Sequence, residues 1–114
     1  MSSTSDLIDV EIAAYRARDL EGFLACFSSN VVVTDFDGTV LMEGVEALRQ
    51  SYGTLFADSP RLTVDLRGRV ESGPFIVDQE HLEGVVHPTY PETMDACCVY
   101  RVSDREIVAM KFLM

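Results

Sequence analysis

An α+β fold built on an antiparallel sheet is what this 114-residue sequence predicts. Three observations carry that expectation. Helical periodicity dominates the N-terminal half, interrupted by one short strand pair. The C-terminal half reads as strands alone. Turn signals of the hairpin kind join those strands. Helices followed by a run of strands give α+β with an antiparallel sheet, not a wound parallel one. The length suits one domain spanning 1–114, and 47% apolar residues are enough to fill its core.

The first helix is expected to start at Thr4 or Ser5, either of which can cap it, with Asp6 favourable in the first turn. Leu7, Ile8, Ile12 and Tyr15 share one face, and Glu11 lies on that same face one turn after Leu7. A carboxylate in an apolar stripe is either solvated at its edge or functional. Asp19-Leu20-Glu21-Gly22 opens a short second helix carrying Phe23, Leu24 and Phe27. The β-branched run Val31 to Phe36 is a strand, Asp37-Gly38 a two-residue hairpin turn with positive φ at both positions, and Thr39 to Met42 the returning strand. Gly44 to Ala57 is the third helix, with Val45, Leu48, Tyr52, Leu55 and Phe56 inside, and Asp58-Ser59-Pro60 ends it.

The remainder is sheet. Leu62, Val64, Leu66 and Val70 alternate with polar residues, and Gly68 occupies the apolar slot between the last two, which predicts a bend or bulge. Ser72-Gly73 turns the chain into a strand from Phe75 to Val86, followed by a loop with two prolines at 87–91. Met94 to Val102 and Glu106 to Met114 form a last hairpin, with Val108, Met110, Phe112 and Met114 on one face.

Composition excludes several functions. A net charge of -10 opposes binding to nucleic acid or to an anionic membrane surface. No apolar run is long enough to span a bilayer. Met1 to Asp6 lacks the basic start and apolar stretch of a secretory leader, so the expected compartment is the cytoplasm. Cys26, Cys97 and Cys98 form no CxxC pair and no zinc spacing with histidine, and read as reduced, packed thiols. Phosphate-binding glycine motifs and the GxSxG elbow are absent, so no cofactor and no metal is expected.

Two residues stand out as candidates for chemistry. Asp35 shares a strand face with Val31 and Val33. If that face is the inner one, burial would raise its pKa and suit it to acid/base work. If it is the outer one, Asp35 shapes the turn. Periodicity leaves both open. His81 lies in Asp78-Gln79-Glu80-His81, where either Asp78 with Glu80 or Gln79 with His81 must approach the interior. Histidine there would suit proton shuttling.

The segments Ala17 to Phe27, Val32 to Gly38 and Gly44 to Arg49, with the final hairpin Cys98 to Phe112, resemble the SnoaL-like and ketosteroid isomerase-like branch of the nuclear transport factor 2-like superfamily. The resemblance covers nearly the whole chain. It implies a cone: a strongly curved mixed or antiparallel sheet wrapped around three helices of the N-terminal half (a cystatin-like roll), enclosing an apolar cavity. It also implies a homodimer through the outer sheet face. It places Asp35 in the cavity as general base; Glu11, Tyr15 (by its spacing one turn after Glu11), Tyr52 or His81 would be the acid or hydrogen-bond partner, and Glu11, Val33, Tyr52, Phe56 and Cys98 are expected in the lining. Tyr52 matches a supporting tyrosine of the isomerase. Glu11 and Cys98 stand where the isomerase has its oxyanion donors, and neither an ionised carboxylate nor a thiol is a good substitute. The activity implied is a cofactor-independent isomerase, cyclase or hydratase acting on a small apolar carbonyl or polyketide-like compound. The alternative is a non-catalytic ligand-binding or dimerisation module.

Overall fold

The computed structural model describes residues 4–114. The elements are α1 (Thr4–Ala17), α2 (Leu20–Leu24), β1 (Phe27–Thr34), β2 (Val40–Glu43), α3 (Val45–Asp58), β3 (Thr63–Ser72), β4 (Phe75–Glu83), β5 (Met94–Ser103) and β6 (Glu106–Leu113). One six-stranded sheet has the order β2-β1-β6-β5-β4-β3. Every pairing is antiparallel except β1 with β6, which is parallel. That mixture follows from connectivity: α3 carries the chain across to the far edge, and the β3–β6 meander brings β6 back beside β1. Among the described residues, no helix is long and apolar enough to cross a membrane.

The helices fill the sheet's concave side. Ile8, Phe23, Leu48, Val31, Ile76 and Ile107 are almost completely buried where the two layers meet. Tyr15, Phe23, Tyr52 and Phe56 form a ring cluster with centroids 4.6–6.1 Å apart. Each such pair contributes about 0.5–1.5 kcal/mol beyond its area. Thr4 and Ser5 both lie inside α1 as far as it is described. Asp19 does cap α2, its Oδ1 accepting from the Gly22 N–H at 3.1 Å.

Three local irregularities decide which side chains face inward. The β1–β2 connection is a three-residue loop, not a two-residue turn. Gly38 N–H donates to Asp35 O, Asp35 N–H to Thr39 O, and only Gly38 has positive φ (87°). The turn with positive φ at both central residues occurs instead at Asp104-Arg105. In β3 the register shifts between Leu66 and Gly68, which is the bulge that Gly68 predicts. The extra residue reverses the alternation beyond it. Val70, expected inside, is 63% exposed, and Arg69 turns inward. In β6 Val102 pairs with Ile107 and Arg101 with Ala109, leaving Val108 as the extra residue. Ile107 therefore takes the inner position expected for Val108, on the side of buried Met110.

Candidate functional site

A cavity of about 290 Å³ lies between the helices and the concave sheet face. Its walls are mostly apolar: Ile12 from α1, Leu55 from α3, Val64, Leu82 and Ala96 from the sheet, and Met110, Phe112 and Met114 along β6 and just beyond. Leu41 and Met42 of β2, with His87 and Tyr90 of the 84–93 loop, also contribute. That loop is held at both ends. Val86 N–H donates to Ser59 Oγ at 2.9 Å, and Val85 N–H to Glu92 O at 3.1 Å. His87 and Tyr90 stack between these ties, with ring centroids 4.3 Å apart.

Polar groups converge on one region of the wall. Glu11, on the inner face of α1, is 4% exposed. The Tyr100 hydroxyl, from β5, reaches both of its carboxyl oxygens at 3.3 Å. Glu80, from β4, is 7% exposed, and its Oε1 accepts from the Cys98 thiol at 3.7 Å. Tyr15 and Tyr52 line the same space. Burial is the main reason the Glu11 carboxyl is pushed well above its ordinary range. Nearby Glu80 adds to this, and the Tyr100 hydrogen bond opposes it. Glu80 is raised to about 7, first by burial and then by Asp78, with Cys98, Arg16 and Arg69 pulling the other way. Burial thus favours the protonated form of Glu11 and brings Glu80 to where it can gain or lose a proton near neutrality. Burial also pushes the Cys98 thiol up, which makes it a poor nucleophile.

Asp78, fully buried beside Glu80's strand position, is held by Arg69 through Nε at 2.6 Å and Nη2 at 2.9 Å. The same guanidinium reaches Asp9 on α1 at 2.6 Å. The β3 bulge makes this possible, since unbroken alternation would send Arg69 outward with Arg67. Arg69 thereby ties α1, which carries Glu11, to the strand pair carrying Glu80.

Several expected positions are corrected. Asp35 does not line the cavity: its Oδ1 accepts the Asp37 and Thr39 N–H groups at 2.9 and 3.0 Å, shaping the hairpin loop. The longer loop takes the strand's last carboxylate out of the inner row. His81 faces outward. Its Nδ1 lies 2.7 Å from Asp95 and its Nε2 3.6 Å from Glu83, while Ile76, Asp78, Glu80 and Leu82 take the inner face of β4. Val33 and Phe56 are buried in the core and not in the cavity lining. Glu11, Tyr15, Tyr52 and Cys98 do line it. Tyr100 and His87 were not anticipated, and Glu80 stood only as one of two alternatives for the inner face of its strand. The signal for Glu80 was the pair Asp78 and Glu80 flanked by Ile76 and Leu82 at period two. Among the described residues no group of three or more side chains is arranged to hold a metal.

A model of the SnoaL-like domain matches residues 11–110. A search of curated protein sequences returns no significant match. Solved structures share the fold. A cystatin-fold protein from Novosphingobium aromaticivorans aligns over 100% of both chains at 20% identity and TM-score 0.89. TerC, co-crystallised with polyporic acid, aligns over 97% of this chain and 90% of its own at 18% identity and TM-score 0.77. A protein with a ketosteroid isomerase-like fold from Catenulispora acidiphila, in complex with trimethylamine, aligns over 96% and 85% at 14% identity and TM-score 0.74.

Proposed function

The chain belongs to the SnoaL-like domain family, and we propose that its cavity binds a small, mostly apolar carbonyl compound and moves a proton on it without a cofactor. The observation that carries this reading is the pair of buried carboxyls, Glu11 and Glu80, facing one apolar cavity from α1 and β4. Glu80, ionised, removes a proton from the carbon next to the carbonyl. The C–H electron pair moves into the C–C bond, and the carbonyl π pair moves onto oxygen. Glu11, kept neutral, then serves as the hydrogen-bond donor that an ionised carboxylate could not be. Protonated Glu80 returns the proton to a conjugated carbon, which is isomerisation, or to the same carbon, which is exchange. Alternatively the enolate carbon attacks a second carbonyl, whose π pair moves onto its oxygen and takes the proton from Glu80, which is cyclisation. In this reading Glu80 has the base role expected of Asp35, and Tyr15 and Tyr52 orient the substrate.

The cavity suits a compact ligand, at the low end of the usual range for small-molecule sites, roughly 300–1,000 Å³. Fold relatives hold small organic molecules, polyporic acid in one case and trimethylamine in another. A homodimer through the outer sheet face, a single domain over 1–114 and a cytoplasmic location belong to the same proposal.

Hydrogen–deuterium exchange beside the carbonyl of 2-tetralone, followed by NMR in D₂O, tests proton transfer without knowledge of the natural substrate. Wild type is expected to accelerate exchange, and Glu80→Gln to lose on the order of 10²-fold or more of that acceleration. Unchanged exchange in Glu80→Gln would sink the mechanism. Binding of the ketone with no exchange in either protein would support the second reading, a ligand-binding module. The Glu11–Tyr100 contact favours that reading, since these groups already satisfy one another.

A further inference from the structure

We infer that the cavity sorts its occupants by charge, admitting neutral compounds and protonated amines and refusing carboxylates, sulfates and phosphates. The inference rests on the cavity being a binding site and does not require turnover. Among the described residues its lining contains two carboxyls and no lysine or arginine. Of the guanidinium groups nearby, Arg69 is held by Asp78 and Asp9, and Arg16 lies outside the lining, its Nε donating to Val64 O at 2.9 Å. His87 is the one basic side chain in the lining, and its Nδ1 accepts from the Thr89 N–H at 3.1 Å. An anionic ligand would thus find no lysine or arginine in the lining to pair with.

An anion would instead meet Glu80. Contact-range repulsion between two like charges in a partly buried site weakens binding by on the order of 100-fold. The alternative, keeping Glu80 protonated, becomes harder as pH rises. The chain's net charge of -10 adds a long-range repulsion that salt screens. A protonated amine meets the opposite situation. Glu80 offers it a carboxylate oxygen, and Tyr15, Tyr52, Tyr90 and Tyr100 line the same space with rings that attract a cation at their faces.

Three probes of one size separate these cases: 2-acetylnaphthalene, 2-naphthylmethylamine and 2-naphthoate, measured by calorimetry near pH 8. The ketone and the amine are expected to bind, and the naphthoate at least about tenfold more weakly, with the gap persisting at high salt. In the Glu11→Gln/Glu80→Gln double variant the ketone–naphthoate gap should shrink to about threefold or less, with Glu80→Gln alone as a second variant should the double one fail to fold. Naphthoate binding as tightly as the ketone in wild type would overturn the inference, and so would an unchanged gap in the variants. If none of the three binds, both the charge filter and the binding-site reading fall. If ketone and naphthoate bind alike while Glu80→Gln still loses the exchange activity, only the charge filter falls.

Discussion

Replacing Glu80 by glutamine should stabilise the folded protein above neutral pH and leave it nearly unchanged in acid. In the native state the Glu80 carboxyl titrates at about 7, against 4.5 for a free glutamate. Each tenfold change in proton affinity is about 1.4 kcal/mol, so ionising this group inside the fold costs about 3 kcal/mol relative to the unfolded chain. The native state holds the proton more tightly than the unfolded state. Stability is therefore fully present below pH 4.5, falls as pH climbs from there to about 7, and stays reduced beyond. Glutamine cannot ionise, so this loss disappears in the variant. The gain at pH 8.5 should approach 3 kcal/mol, less whatever the Cys98 contact supplies. Urea denaturation of both proteins at pH 5 and pH 8.5 measures it, as a midpoint shift of about 1–2 M at the higher pH only. Glu11 adds its own pH dependence to both proteins, relieved somewhat in the variant because Glu80 is one of the groups raising it. Parallel pH curves for wild type and variant would refute the claim that burial raises Glu80.

Two further outcomes follow from the same geometry. Arg69→Met leaves fully buried Asp78 without its guanidinium and should cost about 3–5 kcal/mol at neutral pH by urea denaturation, with the double variant Arg69→Met/Asp78→Leu recovering most of it. Asp35→Ala removes the acceptor of two loop N–H groups and should cost about 1 kcal/mol of stability. It should leave ketone binding and exchange at wild-type levels; a tenfold drop in exchange would return Asp35 to the site.

The order of elements was legible because periodicity reports it directly. The opening of a short helix at Asp19-Leu20-Glu21-Gly22 and a bend or bulge at Gly68 were legible too, since aspartate and glycine have specific backbone uses. The inner face of β4 was not. Its two faces carry equally apolar flanks, Ile76 and Leu82 against Phe75 and Val77, and the choice is made by tertiary partners. Asp78 pairs across the sheet with Cys98, and Arg69 reaches it from β3. Asp35 misled for a different reason. One extra residue in the hairpin loop changes where a strand-end side chain points, and the loop's length depends on which residue takes positive φ. Val70 and Val108 share that cause, because a bulge reverses the alternation beyond it while the sequence pattern runs on.

Stability alone does not account for the acid cluster. Glu11, Asp78 and Glu80 all turn inward, and the bulge supplies one arginine, which Asp78 takes in a two-point contact. Arg16 spends its Nε on a backbone carbonyl. The two acids left without a cation of their own are the two that line the cavity. Apolar residues of similar size at those positions would remove a penalty of several kcal/mol, and the fold would close over them as it does over Ile76 and Leu82. The acid that faces the core has a cation, while the two that face the cavity have only neutral partners, Tyr100 and Cys98, an arrangement that suits the ligand-binding role proposed above. The base proposed above is for the same reason Glu80, where burial holds a carboxyl near neutrality, and not Asp35, whose carboxylate is committed to the loop.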